Sequence, residues 1–164
     1  MQVRDAVTAD MEQVATIYAH YVETSVATFE EDPPPPGYWQ KRLADLTGRE
    51  LPFLVAESSG TIRGYAYASP WRPRPGYRYT VEDSVYVAPG QAGRGIGTAL
   101  LKALLPACAQ SGARQVIAVI ADSGSDASAA LHRKFGFTDV GRLTGVGYKH
   151  GRWIDTALLQ RDLT

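Results

Sequence analysis

Gly93, Gly95 and Gly97 stand at alternate positions in the run Pro89-Gly90-Gln91-Ala92-Gly93-Arg94-Gly95-Ile96-Gly97-Thr98. An apolar Val85-Tyr86-Val87 segment precedes this run, and a helical apolar stripe begins at Ile96. The pattern reads as strand, glycine-rich turn and helix start. Glycine adopts backbone conformations closed to other residues and lets a ligand approach the chain closely. A helix start adds unpaired N–H groups and the positive end of the helix dipole. Such a corner binds the phosphates of a nucleotide-like cofactor. Two well-known phosphate loops do not fit. A P-loop needs lysine and a hydroxyl residue after its second glycine, and here Ile96 and Gly97 follow Gly95. The dinucleotide fingerprint needs a third glycine, and this chain has Thr98 there.

The elements that must hold this corner fit one domain, residues 1–164, long enough to bury a real core. Apolar residues make up 45% and charged residues 21%, an ordinary soluble composition. The formal net charge is zero, which argues against nucleic acid or an anionic membrane as partner. No apolar run is long enough to span a membrane, and no signal peptide opens the chain. The single Cys108 cannot form an internal disulfide and suits a reducing cytoplasm. It lies on an apolar helical stripe, as a core residue would. Three histidines without metal-ligand spacing predict no metal site.

Along the chain, Gln2 to Ala6 predicts an edge strand, and Thr8-Ala9-Asp10 offers capping side chains to a helix with Val14, Ile17, Tyr18 and Tyr21 on its buried face. Pro33 to Pro36 cannot lie inside a helix, so a stiff loop leads to a second helix near Tyr38 to Leu46. Pro52 to Glu57 and Thr61 to Ser69 predict two strands joined by a Ser58-Ser59-Gly60 turn. Tyr79 to Val87 feeds the glycine loop. The following helix carries Ile96, Leu100, Leu104 and Cys108 in one row. Pro106 should kink that helix or leave a carbonyl unpaired. Val116 to Ile120 is continuously apolar, as in a strand covered on both faces. A polar loop from Asp122 to Asp126, a short helix through His132 to Phe135, and strands near Asp139 to Val146 and Trp153 to Arg161 complete the order. This is an α/β chain with a mixed sheet and helices on both faces.

The run Gly-Arg-Gly-Ile-Gly-Thr-Ala-Leu-Leu after Val-Tyr-Val resembles the pyrophosphate loop of the GNAT superfamily of N-acetyltransferases. Gly95 and Gly97 match the last two fixed positions of that loop, whereas Ala92 stands where the family has glutamine or arginine. The resemblance implies acetyl-CoA as cosubstrate, held by Gly93, Arg94, Gly95, Ile96, Gly97 and Thr98 chiefly through backbone N–H groups. It also implies the GNAT fold, in which two central strands splay and the acyl-pantetheine arm enters between them. Here those strands are Tyr79 to Val87 and Gln115 to Ala121, with Val85, Tyr86 and Val87 along the arm.

Acetyl transfer to an amine needs a base, because only the neutral amine attacks. Glu82 lies just upstream of the loop and is expected to be that base, although an ordinary strand glutamate is simply solvated. Strand alternation puts Val81, Asp83, Val85 and Val87 on one face and Glu82, Ser84 and Tyr86 on the other, so Asp83 is the weaker candidate. Many GNAT enzymes carry Tyr-x-x-x-Gly-Phe as the source of an acid for the thiolate. His132 stands at that tyrosine position and titrates near neutrality. It reads equally as a helix histidine bonded to a carbonyl. Ser128 precedes it, and Ser125 replaces a cofactor-contacting asparagine of related enzymes.

The runs Tyr67 to Glu82 and Gly147 to Asp155, with His132, are similar to the phosphinothricin and methionine sulfoximine N-acetyltransferase branch. That resemblance implies a small amino-acid acceptor and a homodimer. Arg72 and Arg74 would bind the acidic groups of the acceptor, and Phe29 and Tyr77 would line its side-chain pocket. Two other readings remain open at this point: the same reaction on another amine (a protein N-terminus, a polyamine or an aminoglycoside), or a non-catalytic acetyl-CoA-binding module.

Overall fold

The computed structural model describes residues 1–164. Seven strands form one mixed sheet in the order β1-β2-β3-β4-β5-β7-β6. They span Gln2–Asp5 (β1), Phe53–Ser58 (β2), Thr61–Pro70 (β3), Thr80–Val87 (β4), Gln115–Ala121 (β5), Thr138–Lys149 (β6) and Arg152–Asp162 (β7). Four helices cover the sheet: α1 (Met11–Thr24), α2 (Tyr38–Gly48), α3 (Ile96–Gln110) and α4 (Ala127–Lys134). No helix is long and apolar enough to cross a membrane.

Strand alternation builds two cores, one on each face. On one face α3 buries Leu100, Leu101, Leu104, Leu105 and Cys108 against Leu54, Ala66, Val81, Val116 and Leu159. On the other, α1 and α2 pack Val14, Ile17, Val22, Trp39 and Leu46 against Val55, Ile62, Tyr65 and Tyr67. Alternate residues of β2 and β3 go to opposite cores, which is the period-two geometry of a strand buried on both sides. Cys108 is fully buried, and that burial pushes its thiol up to about 12. It is a core residue and not a nucleophile.

The one parallel contact in the sheet decides the site. β4 pairs with β5 only at Thr80↔Gln115, Val81↔Val116 and Glu82↔Ile117. Beyond Glu82 the two strands part. From there β4 pairs only with β3, as far as Gly64↔Val87, and β5 only with β7, as far as Ala121↔Thr156. The expected splay is therefore present.

Several local expectations change. β5 is not covered on both faces throughout: Val119 is 38% exposed, because the strand's second half borders the gap. Thr8–Asp10 forms a single 3-10 turn, and Asp10 gives α1 no side-chain cap. Its buried carboxylate accepts the Val7 N–H at 2.8 Å and Arg4 guanidinium bonds at 2.9 and 3.0 Å. Pro106 lies inside α3 on an exposed face, so the Lys102 carbonyl that loses its donor can turn to water. β6 is longer than its apolar pattern suggested and pairs irregularly with β7 between Leu143 and Gly147.

Candidate active site

The gap between β4 and β5 opens into a cavity of about 730 Å³. Glu82, Asp83, Ser84, Val85, Tyr86 and Val87 line it from β4. Ala118, Val119, Ile120 and Ala121 line it from β5, and Ser125, Ser128, Leu131 and His132 from α4 and the loop before it. Tyr21 and Ala27, Thr28 and Phe29 close the other side.

The glycine loop forms one wall through Gln91, Ala92, Gly93, Gly95, Ile96, Gly97 and Thr98. Gly93 and Gly95 have φ of +77° and +78°, a left-handed conformation that accounts for glycine at both places. No amide from Gly93 to Thr98 donates to a carbonyl or side chain of the protein, and the first such bond of the helix is Ala99 N–H to Gly95 O at 3.0 Å. Six successive donors at a helix start are thus left unused by the protein, and all but Arg94 belong to residues that line the cavity, as a pyrophosphate site requires. The residues present fit acetyl-CoA. Ala92 in place of a polar side chain does not disturb this, since the donors are backbone. Arg94 departs from expectation: it is exposed and does not line the cavity.

Glu82 projects to the α1/α2 face of the sheet and is half-buried. Burial raises its carboxyl above the usual value of 4.5, and the neighbouring Asp83 adds to this, while Arg42 opposes it. A raised carboxyl is better matched to proton abstraction near neutrality. The cation near it is therefore Arg42 of α2, which also lies over the Tyr67 ring at 5.3 Å. Sequence reading missed it. The signal was a charged residue at the core spacing Trp39, Arg42, Leu43, Leu46 of α2.

The bond from Asp83 to His132 was missed as well. Its side chain is fully buried and its Oδ2 lies 2.6 Å from His132 Nε2. His132 Nδ1 lies 2.7 Å from the Ser128 carbonyl oxygen. A carbonyl only accepts, so Nδ1 carries a hydrogen, and one more proton lies between Nε2 and Asp83. Burial works against the charged ring, but the bond and charge of Asp83 and the Ser128 carbonyl outweigh it, so His132 titrates above its ordinary 6.5. The alternation of β4 did put Asp83 opposite Glu82. What it could not show is that α4 brings a histidine to that face. Both nitrogens of His132 are thus engaged, and it presents no free N–H to the cavity. Two buried oxygens, Asp83 Oδ1 and Thr156 Oγ1, lack a partner, and both residues line the cavity.

Of the expected acceptor residues, Phe29 lines the cavity. Arg72, Arg74 and Tyr77 do not. They lie exposed on the β3–β4 connection, with Arg72 over the Trp71 ring at 5.0 Å. That connection leaves β3 and enters β4 beside the Ser69↔Glu82 pair, at the end of the gap, but within one chain it does not fold over the cavity. No group of acidic, histidine or cysteine side chains is arranged to hold a metal ion.

A split mixed sheet, a run of free amides at a helix start and a half-buried carboxylate in the gap define an acyl-CoA-dependent N-acyltransferase. Comparison with known proteins agrees. The Acetyltransferase (GNAT) domain matches residues 3–158, and the chain belongs to this family. It is 49% identical over 154 residues to phosphinothricin N-acetyltransferase of Alcaligenes faecalis, covering 94% of this chain and 78% of the relative. It is 38% identical to the L-methionine sulfoximine/L-methionine sulfone acetyltransferase of Pseudomonas aeruginosa, covering 98% and 94%. Among solved structures, a phosphinothricin acetyltransferase from Sinorhizobium meliloti in complex with acetyl-CoA superimposes with a TM-score of 0.93. That pair shares 46% identity over 98% of this chain and 87% of the other. The chain is an acetyl-CoA-dependent acetyltransferase.

The Asp83–His132 bond has a testable sign. A histidine raised in the folded state stabilises fully below its unfolded value, and that contribution is lost as pH climbs through the folded value. The stability gap between wild type and His132→Gln should be widest below about pH 6.5 and narrow above it. Denaturant titrations across this range check the expectation, and a gap independent of pH would remove the ion pair.

Proposed function

We propose that this protein acetylates the α-amine of a small amino acid or analogue of the phosphinothricin or methionine sulfoximine and sulfone type. The observation that carries the reading is Glu82 at the point where β4 leaves β5, half-buried and raised, lining the same cavity as the free amides of the glycine loop. The activities named for the relatives support the same acceptor class. Acetyl-CoA, when bound, supplies an acetyl thioester whose carbonyl carbon is the electrophile. Gly93, Gly95, Ile96, Gly97 and Thr98 would hold its pyrophosphate by backbone N–H groups, and Ser125 and Ser128, which line the same cavity, would add hydroxyl contacts. Glu82 takes the proton from the acceptor ammonium, directly or through a water. A thiol has an ordinary pKa near 8.5, so its thiolate leaves with little help. His132 reaches the departing sulfur only by giving up its bond to Asp83 or to Ser128.

The acceptor sits on the α1/α2 side of the gap, against Phe29 and near Arg42. Arg72, Arg74 and Tyr77 contribute if the β3–β4 connection is brought over a cavity by a second copy. A homodimer is supported by an apolar patch on the β6–β7 hairpin: Val146, Tyr148 and Trp153 are 55, 54 and 73% exposed. Monomeric proteins seldom leave such patches uncovered. A reducing, cytoplasmic setting suits the lone buried thiol.

Three measurements test these readings. Free thiol should appear when acetyl-CoA meets phosphinothricin or methionine sulfoximine; tight acetyl-CoA binding without turnover across an amine panel would point instead to a binding module. Glu82→Gln should lower turnover by roughly 10²–10⁴-fold at neutral pH and lose less as the acceptor amine deprotonates, and an unchanged pH–rate profile excludes Glu82 as the base. Trp153→Glu should shift sedimentation from dimer to monomer, and an unaltered mass would place the interface elsewhere.

A further inference from the structure

Phe29 lies far from any catalytic group in sequence, on the loop between α1 and α2, yet its ring and the neighbouring Thr28 carbonyl both meet β6. Gly147 of β6 has an ordinary negative φ, so turn geometry does not explain the glycine. Space does. A Cβ on Gly147 would lie no more than 2.9 Å from Cζ, Cε2 and Cε1 of Phe29. The tip of the ring therefore rests on the bare backbone of Gly147. Two residues on, and on the same face of the strand, Lys149 is 2% exposed and donates from Nζ to the Thr28 carbonyl at 2.8 Å. Burial lowers its pKa below the usual 10.5, the charges of Glu31 and Glu30 only partly opposing this, and it makes no ion pair within 4.0 Å. A buried ammonium is costly unless it is hydrogen-bonded, so the bond to Thr28 offsets part of the cost of burying Lys149. Thr28 is held a second time, by a 2.7 Å hydroxyl bond between its Oγ1 and Tyr18. Ala27, Thr28 and Phe29 all line the cavity, and Phe29 is 38% exposed.

We propose that Gly147 and Lys149 are specificity-determining positioning residues: together they seat Phe29 against β6, and this seat sets the length of acceptor side chain that the cavity takes. The inference rests on the acetyltransferase reading. It assigns to β6 a role that neither residue has through direct chemistry. A side chain at position 147 displaces the ring from β6 towards the cavity and shortens the pocket. Loss of the Lys149 tie frees the loop and lengthens it.

The test is a pair of α-amine acceptors, phosphinothricin and a homologue one methylene longer, with kcat/KM measured for each. Gly147→Ala should lower the long-to-short ratio by about tenfold, the scale on which a hydrophobic pocket discriminates one methylene. Adding Phe29→Leu to Gly147→Ala should restore the ratio, and Lys149→Met should raise it, with KM for acetyl-CoA unmoved in each. Equal losses for both acceptors, or no rescue by Phe29→Leu, overturns the proposal. Thermal unfolding of the Gly147→Ala and Phe29→Leu cycle reads the contact without turnover, and strictly additive shifts would also overturn it. If wild type acetylates neither acceptor while the cycle shows coupling, the acceptor reading fails and the contact stands.

Discussion

The early end of β4–β5 pairing is the constraint on which the rest depends. Buried backbone N–H and C=O groups need partners, and a sheet normally supplies them by continuing its ladder. Here the ladder stops after three residue pairs, in the middle of the sheet and not at its rim. Two inner strand edges are thereby turned towards a cavity and not towards each other. The outer pairings, β3 with β4 and β5 with β7, hold each strand in place while the gap stays open. The glycine loop then extends the same logic, offering further unused amides at the mouth of the gap. The site is made largely of backbone, which is why Ala92 can replace a polar residue without cost to its form.

The split also places two neighbouring carboxylates in different electrical settings. Glu82 is the last paired residue and looks towards α1 and α2, where burial, Asp83 and the partly compensating Arg42 raise its carboxyl. Asp83 is the first residue past the split and looks the other way, where His132 of α4 meets it at 2.6 Å. One carboxylate is left available for a proton and the other is bound up in holding α4 against β4. The pair also fixes the buried imidazole beside Phe137, at 4.8 Å between ring centroids. Two identical functional groups thus differ by one step of strand geometry and by the helix each one meets.

The Phe29 side of the cavity is held by contacts of long sequence separation. Lys149 and Thr28 are 121 residues apart. Gly147 accommodates Phe29 from a similar distance along the chain. Such contacts stiffen a proline-rich loop that has no regular structure, and they join the sheet edge to the cavity.

Most of the element order was legible because it follows from local rules. Alternation in β4, the apolar row of α3 and the turn glycines report backbone geometry within a few residues, and those assignments stand in the fold. The positive φ of Gly93 and Gly95 and the opposite faces of Glu82 and Asp83 belong to the same class. What tertiary structure alone decided is which surfaces meet. Val119 is apolar yet exposed because its strand loses a neighbour. Asp83 gains His132, Glu82 gains Arg42 and Phe29 gains Gly147 only when distant segments pack. Arg72, Arg74 and Tyr77 stay outside because nothing in their own segment folds it over the gap. Periodicity records which side of an element is buried, and it carries no record of the partner, since many partners bury the same face equally well.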